Sequence, residues 1–255
     1  MEGKNGYSFQ LEFDVELTCE GCVKSVKKAF EGVTGINSLD VDLTNGQVLV
    51  EGNLGSDKVK SIIESTGRRA ILKGMGGTET KAHLGAAVSI MEAGSDVVRG
   101  LIRFVQTDKD KLVIDGTIDG LSPGKHALCM HECGDISDGC ESCGDVFGIE
   151  ESNNKTAVGD FGDIEVGPDG RAEFRFVNDR LKVWEMIGRS MMIHNCPSTV
   201  AHQRNNGQDG RISCGIIARS AGLFQNPKRF CACDGVAQWE ERNKPVAGAG
   251  RQSNL

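Results

Sequence analysis

Phe9-Gln10-Leu11-Glu12-Phe13-Asp14-Val15-Glu16-Leu17-Thr18-Cys19-Glu20-Gly21-Cys22 changes its period partway along. Up to Leu17 the apolar residues Phe9, Leu11, Phe13, Val15 and Leu17 alternate with polar ones, the pattern of a half-buried strand. From Glu20 to Phe30 the apolar positions are Val23, Val26 and Phe30, with Lys24, Lys27 and Lys28 outside. That spacing predicts a helix. Two cysteines therefore sit where a strand hands over to a helix. Working outward, Ile36–Leu43 and Gln47–Glu51 flank Asn45-Gly46, a hairpin signal. Asp57–Ser65 predicts a second helix with Val59, Ile62 and Ile63 inward, and Ala70–Leu72 a last short strand. The order βαββαβ within residues 1–73 is the ferredoxin-like split unit, an α+β fold.

Gly74-Met75-Gly76-Gly77 opens a linker, residues 74–81, by composition. Residues 82–222 change character. Short β-rich runs recur at Ala86–Met91, Val98–Gln106, Lys111–Asp119, Gly162–Val166, Arg171–Phe176, Ser190–His194 and Ile212–Arg219, separated by glycine and aspartate turns. Such spacing predicts an all-β antiparallel sandwich or barrel. After Gly222 the periodicity fails, and residues 223–255 read as a flexible tail whose marked feature is Cys231-Ala232-Cys233.

Composition narrows the function. The chain has 255 residues, 38% hydrophobic and 25% charged, with net charge -7. That acidity, with one tyrosine and two tryptophans, argues against a nucleic-acid partner. The opening residues are polar, so no secretory signal is expected, and no apolar run is long enough for membrane insertion. The expected location is cytoplasmic. In such a compartment ten cysteines point to metal binding or thiol chemistry rather than architecture.

Cys19 and Cys22 can face one ion, and a helix N-terminus beside them favours the thiolate. Two thiolates suit Cu(I), whereas zinc normally takes four ligands. A C-x-x-C alone reads equally well as a redox pair. Arg68 and Arg69, in the loop before the last strand, are candidates to offset a negative dithiolate. Cys231 and Cys233, one residue apart, can hold Cu(I) or exchange disulfides through a mixed intermediate; both are assigned metal-binding and catalytic roles.

Three resemblances sharpen this. Thr18-Cys19-Glu20-Gly21-Cys22 in its βαββαβ frame resembles the heavy-metal-associated domain of copper carriers, with Leu17 at that family's usual methionine position. Gly124-Lys125-His126-Ala127-Leu128-Cys129-Met130-His131-Glu132-Cys133-Gly134-Asp135, then Val158-Gly159-Asp160-Phe161-Gly162, Ile193-His194 and Arg211-Ile212-Ser213-Cys214-Gly215-Ile216-Ile217, resemble copper–zinc superoxide dismutase signatures in the same order. This implies a Greek-key β-barrel. Dismutase chemistry is not implied. Cys129 stands at the first copper histidine, Val146 at the bridging position and Ala157 at a zinc histidine; His131, His194 and Asp160 remain. Zinc is not expected in the barrel, and His131 and His194 are either residual ligands or hydrogen-bonded structural residues. His126 matches a structural histidine. Cys140 and Cys214 match the dismutase disulfide pair, and Arg211 its anion-guiding arginine, here expected to order a loop through carbonyl hydrogen bonds. Cys133, Cys143 and Cys196 match no role and are expected to be buried, inert thiols.

Metal-carrier module, dismutase-like barrel and C-x-C tail together resemble the copper chaperones for superoxide dismutase. The resemblance implies delivery of Cu(I) to copper–zinc superoxide dismutase through a heterodimer docked near Cys133-Gly134-Asp135 and Ile216–Ala218, with disulfide formation in the target promoted by Cys231 and Cys233. It implies a copper donor such as a transporter, and no dismutase activity. A homodimer is the other assembly expected. The alternative function is a thiol–disulfide oxidoreductase or copper-buffering protein without a dedicated target.

Overall fold

In the computed structural model, residues 8–78, 84–149, 156–198, 210–227 and 237–241 are described. The first unit runs β1 (Phe9–Val15), α1 (Glu20–Ala29), β2 (Ile36–Asp42), β3 (Gln47–Gly52), α2 (Ser56–Glu64) and β4 (Ala70–Gly77). Its sheet order is β2-β3-β1-β4, all antiparallel. β1 is central because its alternation buries Phe9, Leu11, Phe13 and Val15 against Val26, Val59 and Ile63 of the two helices and Phe30 at the end of α1. Gly46, with φ of 66°, makes the expected turn between β2 and β3.

β4 corrects the linker expected at Gly74. It continues to Gly77, pairing Gly76 with Gln10 and Gly77 with Phe9. The glycines serve close approach rather than flexibility. A side chain at Gly74 would collide with the Gly222 carbonyl, and one at Gly77 with the Thr107 carbonyl. Residues 79–81 of the expected linker lie outside the described residues.

The second unit contains β5 (Ala86–Met91), β6 (Arg99–Asp108), β7 (Lys111–Asp119), β8 (Gly124–His131), β9 (Asp160–Val166), β10 (Arg171–Asn178), a short α3 (Val183–Met186), β11 (Ser190–His194) and β12 (Arg211–Arg219). Strand order is β10-β7-β6-β5-β12-β11-β8-β9, with antiparallel neighbours. The chain leaves the β5–β7 meander for β8 and β9, then returns beside β7 as β10, a Greek-key path. The two edges approach at Phe161 and Phe176, whose ring centres are 5.9 Å apart. Ile102, Phe104, Ile114, Ile118, Leu128, Met130 and Ile193 fill this near-closed barrel. Among the described residues no helix is long and apolar enough to cross a membrane.

The units share a polar seam. α2 begins after Gly55, which has no capping side chain, and Asp115 of β7 takes that role from across the boundary. Its carboxylate accepts from the Ser56 hydroxyl and backbone N–H. Thr117 donates to Asp57, and Arg103 to the Ser56 hydroxyl.

Candidate metal centre

β1 delivers Leu17 and Thr18 to the start of α1. Cys19 is the extended residue before the helix, with φ of -162° and ψ of 168°, and its carbonyl accepts from the Cys22 N–H at 2.9 Å. That turn brings the two sulfurs to 3.5 Å. Cys19 is exposed and Cys22 buried, so one sulfur meets solvent while the other is fixed by packing. The Thr18 hydroxyl lies 3.3 Å from Cys22 Sγ. Hydrogen bonds from Thr18, then from Cys19, lower the Cys22 thiol to about 6, with the helix N-terminus aiding in the same direction. The pair can thus present a preformed thiolate and an accessible second thiol to one soft cation. A Cβ at Gly21 would stand 3.5 Å from Cys19 Sγ, an ordinary contact. Arg69 does not aim at the dithiolate. It makes a two-point ion pair with Glu16, while Arg68 lines the depression beside Thr18.

The barrel positions behave differently. Cys129, Val146 and Ala157 pack with Ala127 as an apolar cluster. Burial, then the nearby Asp160 carboxylate, pushes the Cys129 thiol far up, away from the thiolate a metal requires. His131 donates from Nδ1 to the Gly144 carbonyl at 3.0 Å, and its Nε2 meets His194 Nε2 at 3.1 Å. With His131 neutral, His194 is the donor of that second bond. Asp160 accepts from the Gly162 N–H at 2.7 Å. Each polar survivor of the dismutase pattern is held by the protein itself, as buried polar groups require. His126 bridges the carbonyls of His194 and Ser122.

Cys140 Sγ and Cys214 Sγ lie 2.7 Å apart and are not joined. Arg211 donates to the Cys140 carbonyl at 2.8 Å and the Gly144 carbonyl at 3.0 Å, tying the loop to β12 as expected. Three thiols depart from the buried, inert expectation. Cys133 is exposed, Cys196 half-buried, and Cys143 buried but acidified to about 7, chiefly by its hydrogen bond with Cys214.

Cys231 and Cys233 lie outside the described residues. The chain beyond β12 contacts the first unit, at Gly222 and at described residues of the span read as a flexible tail. Gly222 pairs in parallel with Met75, and the Phe224 N–H donates to the buried Glu12. A short helix at Gln238–Glu241, α4, returns to the first unit. Gln238 donates to Asp14 at 2.8 Å and accepts from Lys73 at 3.1 Å, and Arg69 lies 5.3 Å over the Trp239 ring. Sequence reasoning missed this return. Its signal is a tryptophan in a polar, glycine-rich segment, matched by an inward lysine on β4.

Comparison with known proteins agrees with both units. A profile described as heavy-metal-associated domain matches residues 12–69, and one described as copper/zinc superoxide dismutase matches residues 98–217. The chain is 44% identical to the rat (Rattus norvegicus) protein named copper chaperone for superoxide dismutase, over 99% of this chain and 96% of that protein. The human (Homo sapiens) protein of the same name is 43% identical over the same shares. The Kluyveromyces lactis superoxide dismutase 1 copper chaperone is 30% identical over 96% of this chain and 98% of that protein. Both units are thus matched, the likeness runs along nearly the whole of each of these relatives, and the chain belongs to the copper chaperones for superoxide dismutase.

Proposed function

We propose that this chain carries Cu(I) as cargo on Cys19 and Cys22 and delivers it to copper–zinc superoxide dismutase in a heterodimer formed by its own barrel. The observation that carries the reading is the division of labour between the two units. One holds a dithiol in which Cys22 is acidified and Cys19 is exposed, while the other keeps a dismutase-like frame whose cage positions are Cys129, Val146 and Ala157. A barrel that has given up redox copper retains the shape a dismutase subunit would pair with. Ile216 on β12, 38% exposed, and the Gly134–Gly188 backbone contact beside it mark the proposed docking face.

In this reading residues 1–73 acquire copper from a donor such as a transporter. Residues 82–222 recognise the target, and residues 223–255 bring Cys231 and Cys233 to it for ligand exchange and disulfide formation. Transfer between two- and three-coordinate thiolates keeps the ion bound throughout. Zinc has no place in the barrel, since a lone Asp160 is not a zinc site. Cys140 and Cys214 form the barrel's own disulfide. The working compartment is the cytoplasm.

The test mixes Cu(I)-loaded protein with metal-free, reduced dismutase and follows complex formation, target disulfide and superoxide turnover. Expected are a one-to-one complex and an active, oxidised target. Cys19→Ser with Cys22→Ser should lose copper capture, and Cys231→Ser with Cys233→Ser should dock without maturing the target. Failure to associate with the immature enzyme, or rapid superoxide turnover by the carrier's own barrel, overturns the reading.

A further inference from the structure

Cys143 follows Cys140 by three residues, in the 3-10 turn Glu141–Cys143 that Cys140 itself begins. Residues three apart in such a turn lie one above the other, so both thiols face the same side. That side is β12 at Cys214. Cys140, Cys143 and Cys214 pack with Met192 in one buried cluster, with Ala93 and Ile136 against it. The Cys214 sulfur lies 2.7 Å from that of Cys140, and Cys143 packs beside it in the same cluster. Cys143 Sγ further reaches the Asp135 carbonyl at 3.3 Å. Cys214 therefore has two sulfur partners within reach.

Cys143 and Cys214 differ in acidity. The bond with Cys214, supported by the Ser190 hydroxyl and the Arg211 charge, draws Cys143 down to about 7, whereas Cys214 is pushed far up by its two sulfur neighbours and burial. A thiol acidic near ambient pH is close to the optimum for attacking a disulfide. Cys140, at 7% exposure, is the member nearest the surface.

We propose that Cys140, Cys143 and Cys214 form a three-thiol exchange site, in which one disulfide moves between Cys140–Cys214 and Cys143–Cys214 and so resets the loop carrying Gly134 and Asp135. The inference rests on the Cys140–Cys214 bond proposed above. Glutathione disulfide accepts the two electrons. The Cys140 thiolate attacks it and one glutathione leaves as thiolate. Cys214 then attacks the Cys140 sulfur, its proton passes to the departing second glutathione, and the Cys140–Cys214 bond is made. In the exchange step the Cys143 thiolate attacks the Cys214 sulfur. A Cys143–Cys214 bond forms, the Cys140–Cys214 bond breaks, and Cys140 leaves as thiolate, with no net change of oxidation. The Cys143 bond to the Asp135 carbonyl is lost in that isomer. The loop keeps the Ser142 hydroxyl on the Asp135 carbonyl, the Ser190 hydroxyl on the Cys133 carbonyl, the Gly134 N–H on the Gly188 carbonyl and the Cys133 N–H on the Cys143 carbonyl. Because Gly134 and Asp135 belong to the proposed docking face, the two isomers present different faces to a target.

The experiment oxidises the full chain with glutathione disulfide, traps free thiols by alkylation in acid, and cuts with a glutamate-specific protease. Cleavage at Glu141 separates Cys140 from Cys143, trypsin isolates Cys214 between Arg211 and Arg219, and fragmentation of the linked peptides in the mass spectrometer tells Cys140 from Cys133. The wild-type chain should yield both the Cys140–Cys214 and the Cys143–Cys214 peptides. In Cys140→Ala the Cys143 thiolate attacks glutathione disulfide in place of Cys140 and Cys214 then displaces the second glutathione, so this variant should still form the Cys143–Cys214 peptide, more slowly, and Cys143→Ala should lose it completely while retaining the other. Circular dichroism and urea midpoints establish that each variant is folded. Cys140–Cys214 alone in the wild type, with no Cys214 cross-link in folded Cys140→Ala, overturns the exchange and leaves the simple disulfide standing. No cross-link to Cys214 in any folded variant overturns both.

Discussion

Thr18 sets the chemistry of the thiol it touches. Its hydrogen bonds are the largest influence lowering Cys22 to about 6, against an ordinary thiol near 8.5. The sign follows from linkage. A thiol depressed in the folded state adds stability that is complete above the unfolded value and is lost as pH falls through the folded one. Cys22 should therefore add stability to the metal-free protein as pH rises from about 6 to about 8.5, a contribution that Cys22→Ser removes. Thr18→Val removes the hydroxyl and should move the thiolate absorbance step of the metal-free protein upward by about one pH unit, toward the ordinary thiol value. An unmoved step would assign the acidity to the helix N-terminus instead. The cysteine pair was legible as a strand-to-helix C-x-x-C. The hydroxyl's part was not, because a threonine before a helix more often caps the backbone than a thiolate.

At the scale of elements, β1 was readable because alternation and burial coincide, and Phe9, Leu11, Phe13 and Val15 all face the core. β4 was misread for a definite reason. Glycine runs usually mark loops, but at Gly74 and Gly77 the missing side chain admits the carbonyls of Gly222 and Thr107. Gly74→Ala should force Gly222 away, break its pairing with Met75 and cost roughly 1–3 kcal/mol, seen in the urea midpoint of the full chain. A neutral Gly74→Ala would mean that the crossing is not needed for stability. The loop before β9 offers a second case. Arg211 holds it through the Cys140 and Gly144 carbonyls, a role that the resemblance to the dismutase arginine implied once the copper cage was lost. Arg211→Met should destabilise the barrel by roughly 1–2 kcal/mol and speed hydrogen exchange at the Cys143 and Asp145 amides. Unchanged exchange there would show that the thiol cluster alone holds the loop.

On the scale of the whole chain, the sequence predicted separable parts, and the structure joins them at polar contacts that no periodicity encodes. Asp115 caps α2 from the neighbouring unit, and the chain beyond β12 returns twice to the first sheet, at Glu12 and at Asp14 and Lys73. Such pairings depend on residues far apart in sequence, so neither partner announces the other. The second return tests how firmly the tail is attached. Lys73 is buried, bridging Asp14 and Gln238, while Arg69 holds Trp239 by a cation–π contact worth about 0.5–1 kcal/mol at exposed sites. Arg69→Ala should therefore weaken docking of α4 by about two- to fivefold. In a Trp184→Phe background, where Trp239 is the remaining tryptophan, emission should shift to the red and the Gln238–Glu240 amides should exchange faster by a similar factor. Barrel strands should keep their protection, since Arg69 makes no contact with their core. If emission and exchange match the unmutated chain, the Lys73–Gln238–Asp14 bridge holds α4 by itself, and Lys73→Met becomes the change that releases it.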